Sequence, residues 1–235
     1  MPTWLVQLSG DKYDLEDLPA WFPTSEARVI EASDGYYLES SLFEFVEDSS
    51  EVHRLAEGLR EHILGAARLM RPDFQSLGVG AVIRQYEDGR RDAFVMGSAA
   101  LTLQSAKLKA TGAVGAGNTT SQLPRPTQWI SLATRDVKVA QALRLWGTGP
   151  IDWVNLYRVF EVIEGDVGGA IYRNKWTTDT EADRFTRTAN SVAVLGDAAR
   201  HAKPKVPAPA KPMSLGEARN FVRDLLEQWI DSKLT

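Results

Sequence analysis

Cysteine is absent from this chain, and histidine occurs only three times, at His53, His62 and His201. The absence of cysteine excludes disulfides, thiolate nucleophiles and zinc or iron–sulfur sites built on cysteine. Three scattered histidines are too few for a histidine-rich metal centre, and no D-x-D or EF-hand pattern supplies a carboxylate site. We therefore expect no metal and no other cofactor.

Long apolar runs are also missing. No stretch approaches the roughly 18 consecutive apolar residues that a membrane span requires. The N-terminal MPTWLVQLSGDKYD has no basic leader and only a short apolar run before charge appears, which is not typical of a secretory signal. We expect a cytoplasmic protein that does not bind membranes.

A strong charge of either sign is lacking as well. The formal net charge is −4. Residues 1–126 carry 12 Lys and Arg against 18 Asp and Glu, which gives −6, and residues 127–235 carry 15 against 13, which gives +2. The C-terminal half is thus the better candidate for contact with an anion, although most of its charges are expected to form a solvated surface.

Residues 1–110 contain strand signals. Residues 3–8 predict one strand, and apolar runs flank Asp34-Gly35 and Asp88-Gly89. Asp-Gly pairs supply the positive φ angles of tight hairpin turns. The pattern predicts two hairpins with a helix between them, which is an α+β domain.

The helix between the hairpins has clear ends. Asp48 caps its start with Glu51 three residues later, and Pro72 ends it. A shorter acidic run near the N-terminus is interpreted as a solvated turn and helix cap rather than as a metal site. Its members are Asp11, Asp14, Glu16 and Asp17.

Residues 111–126, TGAVGAGNTTSQLPRP, combine glycine, small polar residues and proline without an apolar period. This composition is typical of a flexible connection. We therefore divide the chain into an α+β domain of residues 1–110, a linker of residues 111–126 and a helical domain of residues 127–235.

Four amphipathic helices are predicted in the helical domain. Their predicted starts are Thr134, Asp152, Thr180 and Ser214. The first continues to Trp146, the apolar stripe of the third continues to Ala199, and Ser214 forms a capping box with Glu217 in the fourth. A four-helix bundle is the simplest arrangement that buries all four stripes.

Titratable and basic residues cluster at the predicted end of the third helix. His201 is the one histidine of the helical domain, with an unperturbed pKa near neutrality. On a continuous helix Asp197 lies one turn earlier on the same face, where it can hydrogen-bond the imidazole. Arg200, Lys203 and Lys205 add positive charge. Together these groups outline a site that binds a phosphate and moves a proton.

A purely structural interpretation explains the same residues. Arg and His in the last turn of a helix are favoured by the helix dipole and by unpaired carbonyls, and Asp197 can simply pair with either. Tyr157, Arg158 and Glu161 lie on the exposed face of the second helix, and the sequence identifies no partner for them.

The order of elements in residues 150–235 carries a resemblance. A helix with LYRVFEVIE is followed by a helix ending in LGDAARHA, a proline-bearing loop and the helix SLGEARNFVRDLLEQWI. This order resembles the HEPN superfamily of helical bundles, found in prokaryotic toxins, phage-defence proteins and stress-related ribonucleases. It is most similar to the branch with a Leu-Gly-Asn-x-x-x-His signature. The resemblance covers about the last 85 residues and does not extend to residues 1–126.

The resemblance implies a metal-independent ribonuclease site formed across a homodimer. The family's histidine corresponds to His201 and its polar residue to Asp197. The family's arginine has no counterpart, because Gly196 stands at its position in the shortest spacing and Ala193 or Leu195 in longer ones.

Two functions are therefore open. In the first, which the missing arginine favours, the domain is a non-catalytic HEPN-like module that dimerises and binds RNA or a protein partner. In the second, it is an endoribonuclease in which His201 is the acid/base and Asp197 orients it. Arg200 with Lys203 or Lys205 then holds the phosphate.

Overall fold

The computed structural model describes residues 2–95, 123–168, 171–200 and 207–234. The chain forms two compact units, Met1–Ser131 and Leu132–Thr235. The first contains a β-sheet with helices, and the described residues of the second contain helices and no strands. The prediction of an α+β part followed by a helical part is confirmed at this level.

The first unit is built on one antiparallel sheet of five strands in the order β2-β3-β1-β4-β5. The strands are β1 Thr3–Gly10, β2 Arg28–Ala32, β3 Gly35–Glu39, β4 Leu77–Gln85 and β5 Arg91–Phe94. Both predicted hairpins are present, as β2–β3 and β4–β5. Gly35 and Gly89 have φ angles of +142° and +85°, which explains glycine at both turns.

The central helix of this unit, α2, spans Ser49–Met70 and packs against β4 and β1. The carboxylate of Asp48 accepts hydrogen bonds from the backbone N–H groups of Ser50 and Glu51, at 2.6 and 3.1 Å. The helix ends at Met70, just before Pro72. The predicted start and end of this helix are both confirmed.

A second helix of the unit, α1, spans Lys12–Trp21. The sequence predicted a helix cap in this acidic run but not the bounds of the helix. Asp11 caps it, as expected, by accepting a hydrogen bond from Tyr13 N–H at 2.9 Å. Asp14 is not part of a solvated turn. It is buried, and its carboxylate accepts hydrogen bonds from the Arg71 guanidinium and from Gln75 N–H. The prediction failed here because the partners of Asp14 lie about 60 residues away in the sequence.

The helices of the C-terminal half are α3 Arg125–Ala133, α4 Val137–Thr148, α5 Trp153–Asp166, α6 Asp179–Ala189, α7 Val192–Leu195 and α8 Leu215–Ser232. Helix α3 begins within the first unit, where the Thr127 hydroxyl donates a hydrogen bond to Trp21 O at 2.5 Å. Most of the predicted linker, residues 111–126, lies outside the described residues. Within the second unit, α5 packs against α4, α6 and α8.

Two predicted helix starts are confirmed and two are wrong. Asp152 caps α5, and Ser214 and Glu217 form the capping box of α8. The first helix starts from Asp136 rather than Thr134, since the Asp136 carboxylate accepts from two backbone N–H groups of α4. The third starts from Thr178, whose hydroxyl accepts from Glu181 N–H at 3.2 Å.

The larger correction concerns the end of the third helix. Helix α6 stops at Ala189 instead of continuing to Ala199. Asn190 is its C-cap, and the Asn190 side-chain amide donates to Thr186 O at 2.8 Å. Asn-Ser at positions 190 and 191 is a pair that favours turns, because such short polar side chains hydrogen-bond the local backbone. This Asn-Ser pair is the sequence feature that could have predicted the end of α6.

None of the helices in the described ranges combines the length and the apolar character needed to cross a membrane.

Candidate functional site

The chain after α6 does not present Asp197 as the helical spacing predicted. After the single turn of α7, Gly196 takes φ +54° and ψ −130°. Exposed Asp197 lies in a 3-10 turn of Gly196–Ala198, and Ala199 is extended. The continuous helix from which a one-turn relation between Asp197 and His201 was predicted therefore does not extend through residues 196–199. His201, Lys203 and Lys205 themselves lie outside the described residues.

Arg200 is the predicted site residue whose contacts are best defined. Its guanidinium donates a hydrogen bond to Glu161 Oε1 at 2.5 Å and lies 3.9 Å from the ring centroid of Tyr157. Its backbone N–H donates to Ala189 O at 2.9 Å. The Arg200 side chain is only 23 % exposed. Arg200 is thus the partner of Tyr157 and Glu161 that the sequence did not identify. Because its guanidinium is bound to these two side chains, it is not free to bind a ligand.

The chain that follows residues 201–206 is fixed to α6 by two arginines. Arg187 donates hydrogen bonds to Pro207 O and Ala208 O, at 3.3 and 3.2 Å. Arg184 donates to Lys211 O at 2.8 Å and to Pro212 O at 3.3 Å. Guanidinium groups suit this role because each presents several donors in one plane. Both arginines hold the loop and are not presented to a ligand.

The same loop leads into the capping box of α8. The Glu217 carboxylate accepts hydrogen bonds from Ser214 N–H at 2.8 Å, from the Ser214 hydroxyl at 2.9 Å and from the Arg184 guanidinium at 2.8 Å. The backbone hydrogen bond from Ser214 is the largest cause, followed by that from Arg184, and together they lower the pKa of Glu217 to about 2. This carboxylate stays ionised well into the acidic range.

Glu217→Gln is expected to reveal this ionisation as a pH dependence of stability. The folded-state pKa lies below the ordinary value of 4.5. The stabilisation is therefore complete above about pH 4.5 and is lost as the pH falls towards 2. We expect the variant to be less stable than the wild type at pH 7, and the difference to shrink between pH 4.5 and 2.

Urea unfolding at several pH values measures this difference. Glu164→Gln is the matched control, since Glu164 has no ion-pair partner among the described residues. A Glu217→Gln difference that stays constant down to pH 2 would contradict the low pKa.

The far end of α8 fixes the relative positions of α4 and α5. Lys233 Nζ lies 2.7 Å from the carboxylates of both Asp136, the cap of α4, and Asp166, the last residue of α5. Burial by itself raises the pKa of Asp136, but hydrogen bonds from Lys233 and from two backbone N–H groups of α4 lower the pKa below its ordinary value. Trp229 Nε1 donates to Asp166 at 2.9 Å.

Between α4 and α5 lies a groove of about 450 Å³, which we call the α4–α5 groove. Its lining residues are Lys138, Gln141, Leu145, Arg158, Glu161 and Val162. Glu161, the partner of Arg200, therefore faces this groove. No sequence pattern could have identified Lys138 as a candidate binding residue, because the groove exists only where two helices pack together.

The first unit has a separate pocket of about 520 Å³. It is lined by Trp4, Arg28, Glu39 and Phe43, among others, and the Arg28 and Glu39 side chains are 3.5 Å apart. Phe45 also lines it and is 91 % exposed.

Within the described ranges, no group of three or more His, Asp or Glu side chains is arranged to hold a metal ion.

The chain matches no protein-family profile, no curated protein and no solved structure.

Proposed function

We propose that the helical unit is a non-catalytic HEPN-like module that binds RNA and acts as a homodimer in the bacterial cytoplasm, in stress response or phage defence. In this proposal the helices form a four-helix bundle. The proposal is supported by the order of α5, α6, the proline-bearing loop and the capped α8, which follows the order in the HEPN resemblance except that α6 ends at Ala189, before the LGDAARHA segment. The N-terminal unit is not part of the resemblance.

The observation that supports the proposal is that the Arg200 guanidinium is already bound to other side chains of the protein. A ribonuclease without a metal ion needs a cation placed to stabilise the charge that develops on the phosphate. Arg200 is the arginine nearest to His201 in the sequence, and it is hydrogen-bonded to Glu161 and stacked on Tyr157. No basic residue stands at position 193, 195 or 196. Binding without cleavage is the function that these residues support.

Positive charge supports RNA as the ligand. The C-terminal half carries an excess of two positive charges, whereas the N-terminal half is acidic. Phosphodiester backbones are bound chiefly through Lys and Arg, with an affinity that falls as salt rises.

His201→Ala tests whether the module is catalytic. Single-stranded RNA is incubated in EDTA with the wild type and with the variant, and RNA integrity and gel mobility are both recorded. We expect intact RNA and the same mobility shift with both proteins, because binding does not depend on an acid/base group. Circular dichroism checks that the variant is folded.

RNA cleavage by the wild type that His201→Ala abolishes would contradict the non-catalytic proposal and establish the ribonuclease alternative. Intact RNA without any mobility shift would remove RNA as the ligand. Light scattering tests the dimer separately, and a monomer at micromolar concentration would contradict that part.

A further inference from the structure

The α4–α5 groove contains two cations without partners. Lys138 and Arg158 are both exposed and line the groove. Among the described residues, neither side chain takes part in an ion pair or a hydrogen bond. This contrasts with Arg184, Arg187 and Arg200, whose guanidinium groups are occupied by carboxylates or backbone carbonyls. Lys138 and Arg158 are thus available to an external anion.

The charge of the one acidic residue that lines the groove is compensated by Arg200. Glu161 contributes a negative charge, but its carboxylate is bound by the Arg200 guanidinium at 2.5 Å. The formal charges of Lys138, Arg158, Glu161 and Arg200 add up to +2. Charge-assisted hydrogen bonds of this kind are strong and keep the carboxylate oriented towards its partner. An anion in the groove therefore meets two free cations and a compensated acid.

The other lining residues suit a nucleic-acid backbone. The Gln141 side chain can donate a hydrogen bond, and Leu145 and Val162 provide apolar surface. A volume of about 450 Å³ is more than one phosphate group fills. Proteins that bind single strands without sequence preference use a positively charged groove that follows the backbone.

We propose that the α4–α5 groove binds the phosphodiester backbone of single-stranded RNA through Lys138 and Arg158, while Arg200 prevents Glu161 from repelling it. This inference rests on the proposed function and names the surface that carries it out. It places RNA contact on the exposed surface between α4 and α5 rather than on the segment that ends at Arg200.

Charge-matched double variants of the full chain test the groove. Lys138→Ala/Arg158→Ala removes both free cations of the groove. Arg144→Ala/Arg173→Ala removes two exposed cations of the same unit that do not line it. Fluorescence anisotropy with a labelled single-stranded RNA oligonucleotide gives Kd at several KCl concentrations. Both doubles have the same net charge, so a general field effect lowers their affinities equally.

We expect the groove double to bind RNA about tenfold more weakly than the wild type. The slope of log Kd against log salt should fall by about 1.4, since each phosphate contact on a single strand contributes about 0.7. The control double should bind within about threefold of the wild type, because charges outside the contact surface are largely screened. Equal losses in the two doubles would overturn the assignment of the groove.

Glu161→Gln is expected to tighten RNA binding, a result that misfolding of the variant would not produce. The substitution removes a charge that Arg200 already compensates, so it frees the Arg200 guanidinium and raises the sum of these formal charges from +2 to +3, and RNA binding should tighten several-fold. Glu164→Gln, on the same helix but outside the groove, is the matched control and should leave the Kd unchanged. Unchanged or weaker binding by Glu161→Gln would count against the groove.

Two further results separate the groove from the proposed function. A wild type that does not bind RNA at all would refute the proposed function and the groove together. If the groove double binds RNA as tightly as the wild type, the assignment of the groove is refuted but the proposed function is not. Displacement of the RNA by poly-glutamate at equal charge concentration would overturn the assignment to a phosphodiester backbone.

Discussion

Phe185→Ala should lower the free energy of unfolding by about 4 kcal/mol, within the usual range for removing a buried aromatic ring. Phe185 is fully buried in the helical unit. Its ring centroid lies 5.2 Å from those of Phe160 and Phe221, and 5.8 Å from that of Tyr157, with which it is stacked. Alanine at this position leaves a cavity between α5, α6 and α8 that rigid helices fill only in part.

Urea unfolding of the wild type and the variant measures this loss. Phe45→Ala is the matched control, because the same atoms are removed from a side chain that is 91 % exposed, and it should change the free energy by no more than about 0.5 kcal/mol. Phe185→Leu retains most of the volume and should cost about 1–2 kcal/mol, so it remains measurable if the alanine variant fails to fold. Similar effects of Phe45→Ala and Phe185→Ala would contradict the packing described.

The aromatic cluster also connects the core to Arg200. Tyr157 is stacked on Phe185 and also contacts the Arg200 guanidinium. The position of the guanidinium beside Glu161 therefore depends on a correctly packed core. Arg200 is thus positioned by a chain of contacts that runs from buried Phe185 through Tyr157 to its guanidinium.

Asp14→Ala should lower the free energy of unfolding by about 3 kcal/mol, since it removes one partner of a buried ion pair. The Asp14 side chain accepts hydrogen bonds from Arg71, just beyond α2, and from Gln75 N–H at 2.8 Å. Its loss leaves that N–H without its partner, and it removes from the guanidinium the one partner carboxylate that is buried, since the side chains of Asp17 and the more distant Asp73 are much more exposed. The contact between α1 and the end of α2 is weakened as a result.

Asp73→Ala is the control for this variant. Asp73 also faces Arg71, at 3.7 Å, but its side chain is 82 % exposed. Exposed ion pairs contribute little, so a change of no more than about 0.5 kcal/mol is expected. Equal losses in chemical denaturation for Asp14→Ala and Asp73→Ala would show that burial is not the reason for the effect.

The functional proposal depends on which arginines are occupied. Arg184 and Arg187 hold the loop, and Arg200 holds Glu161. Within the described part of the helical unit, Lys138 and Arg158 are the cations of the groove that remain without a partner. Binding of an anion beside the signature segment, rather than cleavage at it, is consistent with that distribution.

The sequence by itself determined the local structure wherever a cap and an apolar period agreed. Asp48 with Glu51, Asp152, and Ser214 with Glu217 each predicted a helix start correctly, because the hydrogen bonds of a cap join residues two or three positions apart. The hairpins were predictable for the same reason, as glycine supplies the positive φ of the turn.

Only the tertiary structure decided what the polar side chains do. Arg200 and Glu161 are 39 residues apart, and Asp14 and Arg71 are 57 residues apart. No local pattern specifies such pairs. The α4–α5 groove likewise exists only because two helices pack side by side, held at their ends by Lys233. Hydrogen bonds between residues close in the sequence can therefore be predicted from the sequence. The charge of a binding surface cannot, because it depends on which distant residues pair in the folded protein.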